Sequence, residues 1–194
     1  MADVQLMQVR WQIGQWRNGN APLPNIVDWG TARNTLSGAL ATTPDDPQIH
    51  ESLGYLYAIR AQSAAKLPAL FQPLMRQAQD SYRNAARLRP MSGATWANVA
   101  LASHLLEAAS SAPAQQQSQQ TLLWDAFDRA LRYGQREPFV QRTIAEIGFA
   151  RWAQLSPVRR SQLLAMVAGA WPPDRPILLT IAHAHGRAEA DGTL

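Results

Sequence analysis

The pair His183-Ala-His185 is where this chain most invites chemistry, because two imidazoles so close together suggest a metal ion. Helix geometry argues against it: residues two apart project about 200° apart and do not share a face. No cysteine or glutamate trio nearby completes a ligand set. The pair therefore reads as surface or helix-ending histidines. His50 and His104 stand alone on helical stretches, where packing or exposure explains them better than catalysis. Two carboxylate pairs come next. Asp45-Asp46 sits where a helix should start, and there carboxylates cap free N–H groups and favour the dipole. Asp125 and Asp128 are spaced to pair with Arg129 and Arg132 along one helix. Neither pair resembles the two carboxylates of a glycosidase, which need a cleft with tuned acidity. There is no Gly-rich phosphate loop and no Gly-x-Ser-x-Gly elbow. Cysteine is absent, which excludes disulfides, thiol catalysis and thiolate metal sites. These residues name no catalytic group, no metal site and no cofactor.

The charge pattern points the same way. The net charge of +4 comes almost wholly from arginine, with Lys66 the only lysine. Arginines and acids are interspersed along the chain. Nucleic-acid binding would want a concentrated basic stripe with interleaved aromatics, so no nucleic acid is expected. Seven tryptophans are many for this length. Trp29, Trp96, Trp124 and Trp152 fall on faces expected to be buried, while Trp11, Trp16 and Trp171 lie near the ends. An exposed indole can stack on a sugar or anchor a partner.

The elements that must position these groups are helices. Ala, Leu, Arg and Gln dominate, and β-branched residues never form a run. The pattern predicts helices over 3–17, with Val4, Met7 and Trp11 facing inward, and over 25–41. Asp46 caps a third helix, with Pro47 in its first turn, running to about Ala64. Lys66 to Pro73 reads as a turn before a helix ending at Leu88. Ser92 caps a fifth helix to about Ser110. A Gln-rich stretch then extends a sixth helix to Gly134, a natural stop. Further helices are expected over 137–155, 157–171 and 176–187, the eighth opening at Ser156-Pro157, with a frayed tail over 188–194. No apolar stretch reaches the length of a membrane span.

These helices pair into a repeat of about 46 residues. Close helix crossings need Ala or Gly on one side and a large residue on the other. Leu53-Gly54 and Tyr57, then Ala78, Tyr82, Ala85 and Pro90, supply such a set. Trp96, Val99 and Ala100, then Phe127, Ala130 and Leu131, stand at the matching places. So do Met7 and Trp11 with Ala32, Leu36, Ala39, Leu40 and Pro44, and Ile147-Gly148 matches Leu53-Gly54. The pattern resembles the tetratricopeptide repeat, whose usual period is about 34 residues. It departs from that signature where His50 replaces an aromatic and where Ser103 and Arg151 replace Tyr. A narrower likeness is carried by Glu51-Ser-Leu-Gly-Tyr-Leu-Tyr57, Tyr82-Arg-Asn-Ala-Ala-Arg-Leu-Arg-Pro90, Thr95-Trp96-Ala97 and Ile147-Gly148 with Trp152. It is similar to the VpsP family of polysaccharide biosynthesis proteins.

The resemblance implies an all-α, right-handed array of antiparallel helix pairs, a TPR-like α-solenoid of about nine helices. It would form one domain over 1–194, with units near 1–46, 47–92, 93–138 and 139–173 and a capping helix over 174–188. In such arrays the first helix of each pair lines a groove. That selects Glu51, Tyr55, Asn98, Leu101, Arg142, Glu146 and Phe149 as the partner-binding surface, with Asn98 placed to bond a ligand backbone. The expected function is a non-catalytic scaffold binding protein partners of bacterial exopolysaccharide biosynthesis or export. The expected place is the periplasm, with membrane attachment only through an anchor that this chain does not carry. A glycan-binding module of the same pathway is the alternative. A lytic glycan-cleaving enzyme comes after it, because that chemistry needs a glutamate in a deep polar cleft.

Overall fold

Capping chemistry starts several of the helices. In the computed structural model, which describes residues 2–187, Asn25 accepts from the amides of Val27 and Asp28 at 2.8 and 3.0 Å. Asp46 does the same for Gln48 at 2.8 Å, and Ser92 and Ser156 accept from Thr95 and Arg159, each at 3.3 Å. The described residues form nine α-helices and no strand. They are α1 (Ala2–Arg17), α2 (Ile26–Thr42), α3 (Pro47–Ser63), α4 (Pro68–Leu88), α5 (Gly93–Ala109), α6 (Pro113–Gly134), α7 (Pro138–Ala150), α8 (Pro157–Ala168) and α9 (Arg175–Ala184). A single 3-10 turn, Trp152–Gln154, follows α7. The tail expected to fray over 188–194 lies outside the described residues. Among the described residues no helix is long and apolar enough to cross a membrane.

The helices group into two compact units, α1–α4 and α5–α9. In the first unit α3 packs along α4, and α1 and α2 complete a core of Val9, Ile13, Trp16, Ala32, Leu36, Ile49, Leu53, Leu56 and Ile59. In the second, α5 packs along α6, and α7 is flanked by α5, α8 and α9.

Close approach at glycine sets three of these crossings. A Cβ on Gly54 would lie 2.6 Å from two ring carbons of Tyr82, so α3 meets α4 only because residue 54 has no side chain. Gly148 repeats the device in the second unit, where a Cβ would lie 2.6 Å from Leu163 of α8. Gly134, expected as a helix stop, is the last residue of α6 and has a negative φ. Its real constraint is Gly93, whose added Cβ would sit 2.4 Å from the Gly134 Cα.

Several boundaries differ from the sequence pattern. The turn expected over 66–73 is already helical from Pro68, because Phe71 and Met75 are buried and draw that turn onto the core. Pro73 lies inside α4, where it has no N–H to donate to the Ala69 carbonyl. The helix expected to reach Leu155 ends at Ala150, so that Arg151 can turn inward and Leu155 can still be buried. The inward face of α1 is the opposite of the expected one. Val4, Met7 and Trp11 are 64, 67 and 66% exposed, while Val9, Ile13 and Trp16 are buried. At about 100° per residue the two stripes lie on opposite sides of the helix. A bond from Arg10 to Asp46, the cap of α3, holds the second stripe inward.

Candidate functional site

The first unit carries an open polar groove between α1 and α3. Arg10, Ile13, Gly14 and Arg17 form one wall at i, i+3, i+4, i+7 spacing, and Gln48, Glu51 and Ser52 form the other, around a volume of about 230 Å³. Gly14 sits between the two arginines. A Cβ there would meet nothing within 4 Å, so packing does not require glycine. The helix nevertheless forgoes about 1 kcal/mol relative to alanine at that position. The absent side chain leaves the groove floor low.

The charges along the groove are unevenly neutralised. Arg10 is tied to Asp46. Partial burial pushes the Asp46 carboxyl up, but the Arg10 guanidinium and the amides of Gln48 and Ile49 outweigh it and hold the pKa below its ordinary value. Glu51 lies 3.7 Å from Arg89. The Arg17 guanidinium lies 4.9 Å from the centre of the Tyr55 ring. Among the described residues no carboxylate pairs with Arg17. Burial raises the Tyr55 pKa and the Arg17 charge opposes it. Behind the groove, burial drives the Tyr82 hydroxyl far upward, so it stays a neutral phenol.

The seven groove residues inferred from the repeat divide sharply. Glu51 lines the first-unit groove, and half-buried Tyr55 stands at its end against Arg17. Asn98 and Leu101 are partly buried on α5. Arg142 and Glu146 are exposed on α7, whereas Phe149 is buried. Phe149 is 2% exposed and stacks on Trp152 at 5.9 Å. Arg142 bonds Asp174, the cap of α9, at 3.0 Å, and Glu146 lies 3.0 Å from His185 at the other end of α9. The two exposed residues each pair with one end of α9. His185 thus pairs with a carboxylate, and no group of three or more His, Cys, Asp or Glu residues could hold a metal among the described residues.

The remaining charged candidates are structural. Asp125 bonds Arg129 at 3.0 Å as expected, but Asp128 is bound by Arg159 of α8 through two 2.8 Å bonds and not by Arg132. The pairing raises the Arg159 pKa, chiefly through that hydrogen bond. His50 is buried and contacts the Pro44 carbonyl at 2.9 Å. His104 Nδ1 accepts from Arg151 at 2.6 Å, and Arg151 also reaches Glu107 at 2.7 Å and Gln154 at 3.2 Å. Burial lowers the His104 pKa first, the Arg151 charge adds to it, and Glu107 opposes both. The imidazole is therefore a neutral acceptor inside a buried cluster.

Tryptophan burial follows a rule that the sequence pattern did not suggest. Trp29, Trp96, Trp124 and Trp152 are only partly buried, and each has a guanidinium near its ring: Arg33, Arg129 and Arg159 at 5.5, 4.6 and 5.0 Å, and both Arg160 and Arg187 at Trp152. Trp16 is buried, whereas Trp11 and Trp171 are 66 and 70% exposed. Sequence reasoning also missed Arg10, Gly14, Arg17, Gln48 and Ser52 as groove residues. For Arg10, Gly14 and Arg17 the signal was present as a third helical stripe on α1, offset from both apolar ones, and Gln48 and Ser52 lie one turn apart on α3. Comparison with protein-family models, curated proteins and solved structures finds no match.

Proposed function

We propose that this chain is a non-catalytic scaffold that binds a protein partner through the α1–α3 groove of its first unit. The observation that carries the reading is the groove itself, two facing polar rows over a glycine that packing does not require. The carboxylates that chemistry would need are engaged elsewhere: Asp46 caps α3, Asp125 and Asp128 pair with arginines, and Glu107 neutralises Arg151. Glycan binding is the alternative: four partly buried indoles each have an arginine close to the ring, which leaves Trp11 and Trp171 as the exposed ones such binding would use. Placement among periplasmic accessory proteins of exopolysaccharide biosynthesis or export rests on the resemblance to the VpsP family alone.

The test uses Gly14→Leu, which fills the groove at a position with room for a side chain, against Gly14→Ala as a folded control. A partner captured by the wild type and by Gly14→Ala, but lost with Gly14→Leu, supports the reading. Equal capture by all three proteins overturns it.

A further inference from the structure

We infer that the α1–α3 groove takes an extended peptide segment bearing one carboxylate side chain, with Arg17 as the anion contact; this rests on the protein-binding reading above. The charge balance comes first. Arg10 is committed to Asp46, and Glu51 has Arg89 beside it, so the groove's outstanding charge is the Arg17 cation. Its guanidinium is stacked on Tyr55, which restrains it without consuming its five N–H donors on a carboxylate. A carboxylate is the planar, bidentate acceptor that such a fork fits. Glu51 on the facing wall disfavours a second carboxylate placed opposite it.

Length and wall chemistry select a peptide. From Arg10 to Arg17 the groove follows seven residues of helix, about 10 Å at 1.5 Å per residue. Three residues of extended chain span about the same distance. A peptide backbone needs both donors and acceptors along its course, and Gln48 and Ser52 supply both on the α3 wall. A pyranose would want an open aromatic face, but Arg17 stacks on Tyr55, and Tyr57 stands edge-on to Trp29 at 5.9 Å.

The experiment uses the full chain and an immobilised array of capped random dodecapeptides. Wild type should retain peptides enriched in Asp and Glu, and Gly14→Leu should retain few. Arg17→Gln should lose the acidic enrichment and bind the best wild-type peptides about tenfold more weakly. Arg17→Lys, which keeps the charge but not the fork, should recover only part of it. Thermal melting of each variant separates lost binding from lost fold. If retention depends on Gly14 but shows no acidic preference, the carboxylate assignment is wrong and the scaffold reading stands. If an acidic oligouronate binds with the same Gly14 and Arg17 dependence and the peptides do not, the occupant is a glycan and the inference fails. If Gly14→Leu retains the same peptides as wild type, both readings fall.

Discussion

Replacing Gly54 by alanine should destabilise the protein, whereas the same replacement at Gly14 should not. At residue 54 the new methyl would lie 2.6 Å from Cδ1 and Cε1 of Tyr82 and 2.9 Å from Cζ. The Tyr82 ring is 4% exposed and belongs to a helix packed along the whole of α3, so it cannot swing aside as a surface chain would. Overpacking of this kind costs about 1–3 kcal/mol. Alanine returns up to about 1 kcal/mol of helix propensity, so the net loss at Gly54 is about 1–2 kcal/mol. At Gly14 the steric cost is absent and only the propensity gain remains. Melting followed by circular dichroism should show Gly54→Ala below wild type by roughly 5–10 °C, taking about 4–8 °C per kcal/mol for a unit of this size. Gly14→Ala should melt at or above wild type. Adding Tyr82→Leu to Gly54→Ala should recover part of the loss, because a branched aliphatic chain can vacate the volume of the ring. A Gly54→Ala protein that melts no lower than wild type would refute the claim that glycine sets the α3–α4 distance.

Three further outcomes follow from the charged groups. Glu107→Gln should cost about 3 kcal/mol by leaving the nearly buried Arg151 cation uncompensated, read as a lower urea midpoint. The fold should also lose stability as pH falls below about 6.5: the folded His104 has a lowered pKa, so the unfolded chain binds its proton first. That stability is fully present above 6.5, and His104→Asn should flatten the slope of urea stability below about pH 6.5. Arg142→Ala removes a part-exposed pair and should cost under about 1 kcal/mol, yet hydrogen exchange of α9 amides should speed up because one of its two end pairs to α7 is gone.

Much of the fold was legible because local signals and packing agreed. Asp46, Ser92 and Ser156 are caps in sequence and in structure, and the Gly54–Tyr82 and Gly148–Leu163 contacts are the small-against-large crossings that the repeat pattern implied. Signals failed where two local options were nearly equal. Helix α1 carries apolar residues on opposite sides, and periodicity cannot rank Val4, Met7 and Trp11 against Val9, Ile13 and Trp16. The bond from Arg10 to Asp46, a contact between residues 36 apart, accompanies the choice, and no window along the chain contains it. The site was half legible for the same reason. Glu51 and Tyr55 follow from helix phase alone. The ion pairs of Arg142 and Glu146 depend on the ends of α9, which returns from more than twenty residues downstream of α7.

The arginines explain how four of the seven tryptophans offer little open ring, whereas Trp11 and Trp171 stay exposed. A half-buried indole leaves part of its ring toward water, and a guanidinium near it lessens that exposure while keeping its own donors available. Arg129 and Arg159 go further, each approaching a ring while bonded to an aspartate, so their charge is spent within the fold. Arg17 has the same aromatic half of this arrangement, on Tyr55, but lacks the acidic half. In the second unit the corresponding acids come from the chain itself, Asp125 for Arg129 and Asp128 for Arg159. In the first unit no carboxylate among the described residues pairs with Arg17, and on the proposed reading the acid comes from the bound peptide.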